Sequence, residues 1–544
     1  MSLRSEQRLA VLALGITVLA VMVGLHADVL AGGLSSRIGG GFHPGHAWTM
    51  DRVAQMLWGS APWSGEQVPM AYPDTGHVRL IGWGALMLGA IWVPLLGLLP
   101  AYHLTVVLTV GLSAWVSAVL IRRTTSAPPL TAAGASLIYA LGPMALGFLA
   151  NGQLAKLHLW CLPLCLLLAD LAVREDHHKW AIPGAALAAA VTGFSAPSIG
   201  LILPFALGTW VAVRAQGSRR WWWAAGVLLA AAAGLALPML YHQLPGHGTA
   251  VLRPAAPIPG LAHPAWLSPV ARPLELFLGQ APWSAATDGI NNISYLGLPA
   301  LLGGVALARR ATQRRLGLAL VVVGIVLALG PSIDGDQVRW VLPGTVLEWT
   351  RYPIVQSGMY YRFAQIAALG LALLIAGGLR GRRGSVVAWT LGLLNIAAGV
   401  WATQALWPRP LPSFPGTALY AQMAADPLPG AVLDLPIETI DTDGSRAALA
   451  QALHGRASTA LVHNVSIQSS PRLRKLDAMV QGLPSATAPK RMLAEAGFRY
   501  VVLRTARNQP APTAQAQRLS RALGAPARDT GVWVWTIPHQ DLGG

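Results

Sequence analysis

Long apolar runs separated by short polar breaks occupy the chain from its start to about Leu406. The run Leu9 to Val23 is too long for a buried strand, and several like it follow. Nothing in a lipid core can hydrogen-bond an exposed backbone, so such runs are helices packed side by side. From about Pro408 the pattern changes. Ala431-Val432-Leu433-Asp434-Leu435 reads as a strand and Ser445 to His454 as a helix. Arg491 to Ala496 predicts a helix leading into the strand Phe498-Arg499-Tyr500-Val501-Val502-Leu503, and Val532-Trp533-Val534-Trp535-Thr536 predicts a last strand. Short strands alternating with helices predict a small α/β domain, and about 140 residues are enough to bury its own core.

The polar breaks carry the topology. Arg122-Arg123, Arg174 to Lys179, Arg214 to Arg220, Arg309 to Arg315 and Arg380 to Arg383 are basic, and Lys and Arg in short loops mark the cytoplasmic side. Each interval between neighbours has room for two spans of about 20 residues. Trp180 to Val213 turns at Gly193-Phe194-Ser195-Ala196-Pro197, and Leu130 to Val173 turns near Asn151-Gly152-Gln153. Trp221 to Ala308 makes two spans around Tyr241 to Asn292, and Leu316 to Leu379 two around Pro331 to Arg362. Val386 to Leu406 then exits.

At the start, Met1 to Arg8 precedes about 22 apolar residues, too long for a signal-peptide core and without a clean cleavage site. It reads as an uncleaved first span, with Arg4 and Arg8 holding the N-terminus in the cytoplasm. Leu104 to Ile121 must end inside at Arg122, so Leu80 to Leu99 lies in plane or re-enters within a long first external loop, residues 31–102. The expected fold is an all-α polytopic membrane bundle over residues 1–407 with an extracytoplasmic α/β domain over 408–544. It has about eleven transmembrane helices plus the in-plane helix. The alternative is about twelve spans, with the N-terminus outside and the first loop cytoplasmic.

Composition agrees: 11% of residues are charged, against about 25% in soluble globular chains. The net charge of +17 does not point to nucleic acid, because the membrane half places its arginines in clusters between apolar runs. Cys161 and Cys165 share a helix face inside one apolar run, so no disulfide framework or Cys-rich zinc site arises from them. No phosphate-binding glycine loop, dinucleotide fingerprint, nucleophile elbow or zinc-protease motif occurs. His177-His178 is a cytoplasmic loop dipeptide rather than a metal site. Arg472, Arg474, Lys475, Lys490 and Arg491 read as a solvated basic face.

The ionisable residues concentrate in the external loops. The first loop holds His43, His46, Asp51, Glu66, Asp74 and His77, with Trp48, Trp58, Trp63 and Tyr72 as candidates for an interfacial belt. A transferase or hydrolase at a membrane face needs a base, and a carboxylate partly desolvated there has a raised pKa. Lys156, His158, Arg272, Glu275, Arg351 and Arg362 come from other external segments. Arg and Lys are what a phosphate or pyrophosphate requires, and Arg362 stands at headgroup depth at the start of a span.

This layout resembles the GT-C superfamily of membrane glycosyltransferases, in a bacterial branch of GT-C-related polytopic proteins. The matching stretches are Tyr72-Pro73 with Gly76, Tyr139-Ala140-Leu141-Gly142-Pro143, Asn151-Gly152-Gln153 leading to Leu162-Pro163-Leu164, and Tyr295-Leu296-Gly297-Leu298. Arg351-Tyr352-Pro353 through Tyr361-Arg362-Phe363 also fits, as do Val432 to Pro436, Gln451 with His454-Gly455, and Gly497 to Val502. The resemblance implies an inverting hexosyl- or pentosyltransferase of the inner membrane. It would move a sugar from a polyprenyl-phosphate donor to an envelope polysaccharide, lipid or protein acceptor outside the cytoplasm. In such enzymes an acid early in the first loop is the base. Here His46 occupies the place expected for it, and Asp51 is the nearest carboxylate. The resemblance therefore points to Asp51 as base, with Glu66 and Asp74 as competing acids, and to His46 as substrate ligand or replacement base. It assigns the donor phosphate and substrate to Arg362 and Lys156, with Arg351, Gln153, Tyr361 and Arg272. It implies no cofactor beyond a divalent metal, which it leaves open, and no nucleic acid.

Two other classes stay open. One is a non-catalytic assembly or binding protein that kept the fold and lost the base, as His46 suggests. The other is a transporter or flippase of lipid-linked substrate, which calls for repeats and midplane charge. No repeat is visible, and Asp170 stands near the inner end of its run, beside Arg174.

Overall fold

The computed structural model describes residues 3–25, 43–59, 83–150, 152, 154–174, 178–195, 197–214, 221–241, 295–329, 332–334, 339–341, 346–347, 360–403, 417–435, 442–459, 475–476, 478–479, 488–504, 513–529 and 532–538. In chain order the helices run α1 (Leu3–Leu25), α2 (His43–Leu57), α3 (Trp83–Ala90), α4 (Val93–Leu96), α5 (Leu98–Thr125), α6 (Pro129–Ala140) and α7 (Pro143–Ala150). They continue as α8 (Cys161–Arg174), α9 (His178–Ser195), α10 (Pro197–Gly200), α11 (Leu203–Arg214), α12 (Trp221–Tyr241), α13 (Leu298–Ala308) and α14 (Arg314–Ala328). The last are α15 (Ala364–Gly378), α16 (Gly381–Thr403), α17 (Thr417–Ala425), α18 (Thr442–His454), α19 (Pro489–Glu495) and α20 (Thr513–Leu523). The strands are β1 (Ser332–Asp334), β2 (Arg339–Val341), β3 (Ala431–Leu435), β4 (Phe498–Arg504), β5 (Ala527–Asp529) and β6 (Val532–Thr536). Two compact units form. The first gathers Met1–His26, Leu104–His242 and Leu252–Trp407, the second Ala27–His103, Gln243–Val251 and Pro408–Gly544.

The first unit is an apolar helical bundle. Among the described residues, Arg4–Leu25, Leu98–Thr125 and Gly381–Ala402 are long and apolar enough to cross a bilayer, and α6 with α7, bent by 51°, makes a fourth if the pair is counted as one span. Cys161–Ala172, Trp221–Leu237, Leu298–Ala308 and Ala364–Gly378 are shorter apolar helices. The expected count of about eleven spans also draws on stretches outside the described residues, and Gly142-Pro143 breaks one apolar run into α6 and α7. The expected turn at 193–197 is present, since α9 ends at Ser195 and α10 begins at Pro197. The expected in-plane helix Leu80 to Leu99 is instead two short helices, α3 and α4. Gly97, at φ +78°, then opens α5, which starts earlier than the predicted Leu104.

Helices in this unit meet backbone to backbone. A Cβ on Gly134 of α6 would lie 2.7 Å from the Trp389 nitrogen of α16. One on Gly370 of α15 would lie 2.7 Å from the Gly317 carbonyl of α14. Small residues permit that approach where no hydrophobic gradient drives helices together. The fully buried carboxylate of Asp170 takes Arg123 Nε at 2.9 Å and Arg214 Nε at 3.6 Å, tying α8 to α5 and α11.

In the second unit a four-stranded sheet has the order β3-β4-β6-β5. The β3–β4 pair is parallel, while β4–β6 and β5–β6 are antiparallel. A parallel pair needs a crossover, here the segment carrying α18 and α19. Leu433, Leu493, Val501, Leu519, Leu523 and Trp535 share its core. The carboxylate of Asp434 meets Arg504 Nη2 at 2.6 Å, and the Ser458 hydroxyl donates to its other oxygen. Arg456 fastens the loop between α17 and β3, donating from Nε to the Met423 carbonyl (2.8 Å) and from Nη1 to that of Leu428 (2.7 Å). The Tyr500 hydroxyl, the Leu428 amide and Arg499 hold the Asp426 carboxyl down at about 2. Arg491 is exposed, with Glu495 at 2.8 Å, as expected of a solvated face.

Candidate functional site

Helix α2 carries both candidates for the base. His46 is buried, and the Asp51 carboxylate accepts from Gln55 Nε2 at 2.6 Å, one turn further on. Arg52, beside Asp51 in sequence, gives its Nη1 hydrogen bond to Gln55 Oε1 at 2.6 Å. Burial pushes the Asp51 carboxyl from its ordinary 3.8 up to about 6, against the opposing pull of Arg52 and the Gln55 hydrogen bond. That places it where a general base for neutral pH belongs. His46 and Asp51 lie five residues apart, hence about 140° apart around the axis and about 7.5 Å along it. The two are therefore alternatives on different sides of the helix rather than a pair.

Trp48 leaves the expected interfacial belt. It is fully buried, and its indole nitrogen donates to Gln451 Oε1 of α18 at 2.6 Å. Trp58, at the end of α2, is exposed, as a belt residue would be.

The cationic candidates belong to the first unit. Lys156 stands on the 3-10 turn Leu154–Leu157, half-buried, with Nζ 5.6 Å from the centre of the Phe148 ring. That turn is fastened to its neighbours. Ser113 Oγ donates to the Leu157 carbonyl at 3.2 Å, and the Tyr139 hydroxyl to that of Leu159 at 2.8 Å. His158 is fully buried and accepts on Nδ1 from Trp160 Nε1 at 3.1 Å. Arg362 occupies the 3-10 turn Tyr360–Phe363 that leads into α15, and its side chain is 1% exposed. Phe363 beside it makes an edge contact with Phe205 at 5.2 Å.

Several of the sequence motifs converge here on one cavity. It is lined by Tyr139, Gly142, Pro143, Leu159, Tyr295 and Gln365, among others, with about 10 Å³ open to the centre of a water molecule. Pro143 has no N–H to give the Tyr139 carbonyl, so the helix breaks and a backbone acceptor is freed. Gln365 is 2% exposed, and neither end of its amide has a hydrogen-bond partner among the described residues. Sequence reasoning passed over Gln365. The signal was an amide in the otherwise apolar run Ala364–Gly378, three residues after Arg362.

Glu66, Asp74, Gln153, Arg272 and Arg351 lie outside the described residues, and of Tyr361 only the backbone is described. Among the described residues no group of three or more His, Cys, Asp and Glu could hold a metal ion.

No protein-family model matches the chain, and no curated protein matches it. Solved structures do match. The arabinofuranosyltransferase AftD from Mycobacteria aligns over 99% of this chain at 16% identity and TM-score 0.57. This chain spans 40% of that AftD chain. ArnT from Cupriavidus metallidurans aligns over 97% of this chain and 98% of its own, at 12% identity and TM-score 0.52. The oligosaccharyltransferase AglB from Archaeoglobus fulgidus, with an inhibitory peptide and a dolichol-phosphate, aligns over 91% of this chain and 69% of its own. Its identity is 13% and its TM-score 0.50. All three are GT-C glycosyltransferases, and the chain has a GT-C-like fold. At these identities the likeness is one of fold.

Proposed function

We propose that the protein is a membrane glycosyltransferase that moves a sugar from a polyprenyl-phosphate donor to an acceptor outside the cytoplasm. The observation that carries this reading is the Asp51 carboxyl, raised by burial to about 6 on a helix of a GT-C-like fold. In this scheme Asp51 takes the proton of an acceptor hydroxyl or amide. The acceptor atom attacks the anomeric carbon from the side opposite the phosphate, and the bond to the phosphate oxygen breaks with its electron pair. Inversion follows from that single displacement. Arg362 and Lys156 hold the charge left on the phosphate, joined by Arg351, Gln153, Tyr361 and Arg272. Lipid-linked donors suit the fold, since the AglB structure holds a dolichol-phosphate. The proposal includes a bacterial inner membrane, a bundle of about eleven spans over residues 1–407 with a cytoplasmic N-terminus, and an extracytoplasmic domain over 408–544.

The test is consumption of polyprenyl-phosphate sugars by the reconstituted protein, compared with Asp51→Asn and His46→Ala at equal folded yield. Wild type should consume a donor and Asp51→Asn should not. Loss in His46→Ala alone moves the base to the histidine. A wild type inert to a broad donor panel favours a second reading, a non-catalytic assembly or binding protein. That reading draws on His46 at the expected acid position.

A further inference from the structure

We propose that the C-terminal α/β domain acts on the transfer by holding α2 in place, and that Gln451 is the positioning residue through which it does so. Helix α2 packs on α18. At the contact the Trp48 indole N–H meets Gln451 Oε1 at 2.6 Å, across 403 residues of sequence. Trp48 is 0% exposed and Gln451 3%. A buried indole N–H without an acceptor is costly, so this one bond fixes both the depth and the rotation of the ring.

The amide of Gln451 is held at both ends. Its Nε2 faces the Arg456 carbonyl at 3.4 Å, and that second bond sets which end of the amide meets the indole. The support beneath it is rigid. Gly455, at φ +69°, ends α18, with its N–H on the Gln451 carbonyl at 2.8 Å. The Arg456 N–H donates to His454 Nδ1 at 3.1 Å, while the Arg456 guanidinium anchors the loop before β3. Gln451 and His454-Gly455, a motif the catalytic scheme leaves unused, thus form a socket for Trp48.

Asp51 is three residues beyond Trp48, about 60° around the same helix. A helix moves as a rod, so a shift at Trp48 displaces the carboxylate as well. An ångström of misplacement at a reacting group costs on the order of 100-fold in rate. Only this consequence for rate rests on the reading of Asp51 as base. The docking stands on the contacts alone.

The experiment measures hydrogen exchange of residues 43–57 in the full-length protein in nanodiscs, alongside donor turnover. Gln451→Leu removes the acceptor, Trp48→Phe removes the donor, and Gln451→Glu keeps an acceptor oxygen. Exchange in α2 should rise about tenfold in the first two and return toward wild type in the third. The double variant Trp48→Phe/Gln451→Leu should be no worse than the worse single one. Turnover number should fall with the donor KM unchanged. Unaltered exchange in both single variants, or effects that simply add in the double one, would overturn the proposal. If Gln451→Leu does not fold, Trp48→Phe carries the test. Asp51→Asn separates the two ideas. Retained turnover there sinks the base and leaves the docking, whereas an inert Asp51→Asn together with unmoved α2 exchange in Trp48→Phe and Gln451→Leu does the reverse.

Discussion

Helix α2 and the ends of the parallel strands β3 and β4 each enclose a carboxylate, but in different company. Asp434 faces the guanidinium of Arg504 at 2.6 Å and the Ser458 hydroxyl. Asp51 is held by the neutral amide of Gln55, while Arg52 spends its hydrogen bond on that same amide. A buried carboxylate paired with a buried cation braces the fold. One that burial has raised to about 6 exchanges its proton near neutrality. Asp170 in the helical bundle, between Arg123 and Arg214, follows the pattern of Asp434. Pairing thus separates the carboxylates that brace from the one proposed as base.

The sharpest way to break this contrast is Asp51→Asn. Turnover should drop by about 10²–10⁴-fold with no loss of thermal stability at neutral pH. A large loss of stability with activity intact would make Asp51 a bracing residue after all. Next comes Arg504→Met, which leaves Asp434 buried and unpaired. It should cost about 3–5 kcal/mol, read as lost exchange protection of residues 431–435 and 498–504. A neutral outcome would erase the distinction.

The pH dependence sharpens it further. A raised Asp51 pKa means the folded protein keeps a proton that the unfolded chain has already released. Stability should therefore fall as pH rises from about 4 to about 6, while turnover rises through about 6. Asp51→Asn should remove that stability slope. An effect of similar size on stability belongs to His454, which burial lowers from 6.5 to about 4. Here the unfolded chain binds the extra proton, so stability is lost as pH falls from about 6.5 toward about 4. His454→Gln should flatten that limb in a melting series.

Much of this was legible in the sequence. Strands β3, β4 and β6 and helix α18 lie where their patterns put them, because each is a short apolar or amphipathic run with its own turn signals. Strand β5 went unseen because Ala527-Arg528-Asp529 is a short, charged edge that the ladder to β6 alone defines. Asp51 could be singled out as a loop carboxylate, but its raised pKa depends on burial that no local pattern encodes. Trp48 was misread for the same reason. Its socket, Gln451, lies 403 residues away. Gln365 escaped notice because one amide in an apolar helix gains meaning only beside the cavity left by Pro143.

The break at Gly142-Pro143 bears on how the protein meets bilayers of different thickness. The 12 residues of α6 and the 8 of α7 make rods of about 18 and 12 Å. Laid end to end at their 51° bend, they reach about 27 Å rather than about 30 Å. Straightening or folding the joint alters that reach without breaking a hydrogen bond inside either rod. Both rods are almost wholly buried and α6 meets α16 backbone to backbone, so any change in that reach is passed on to the packed helices around the joint.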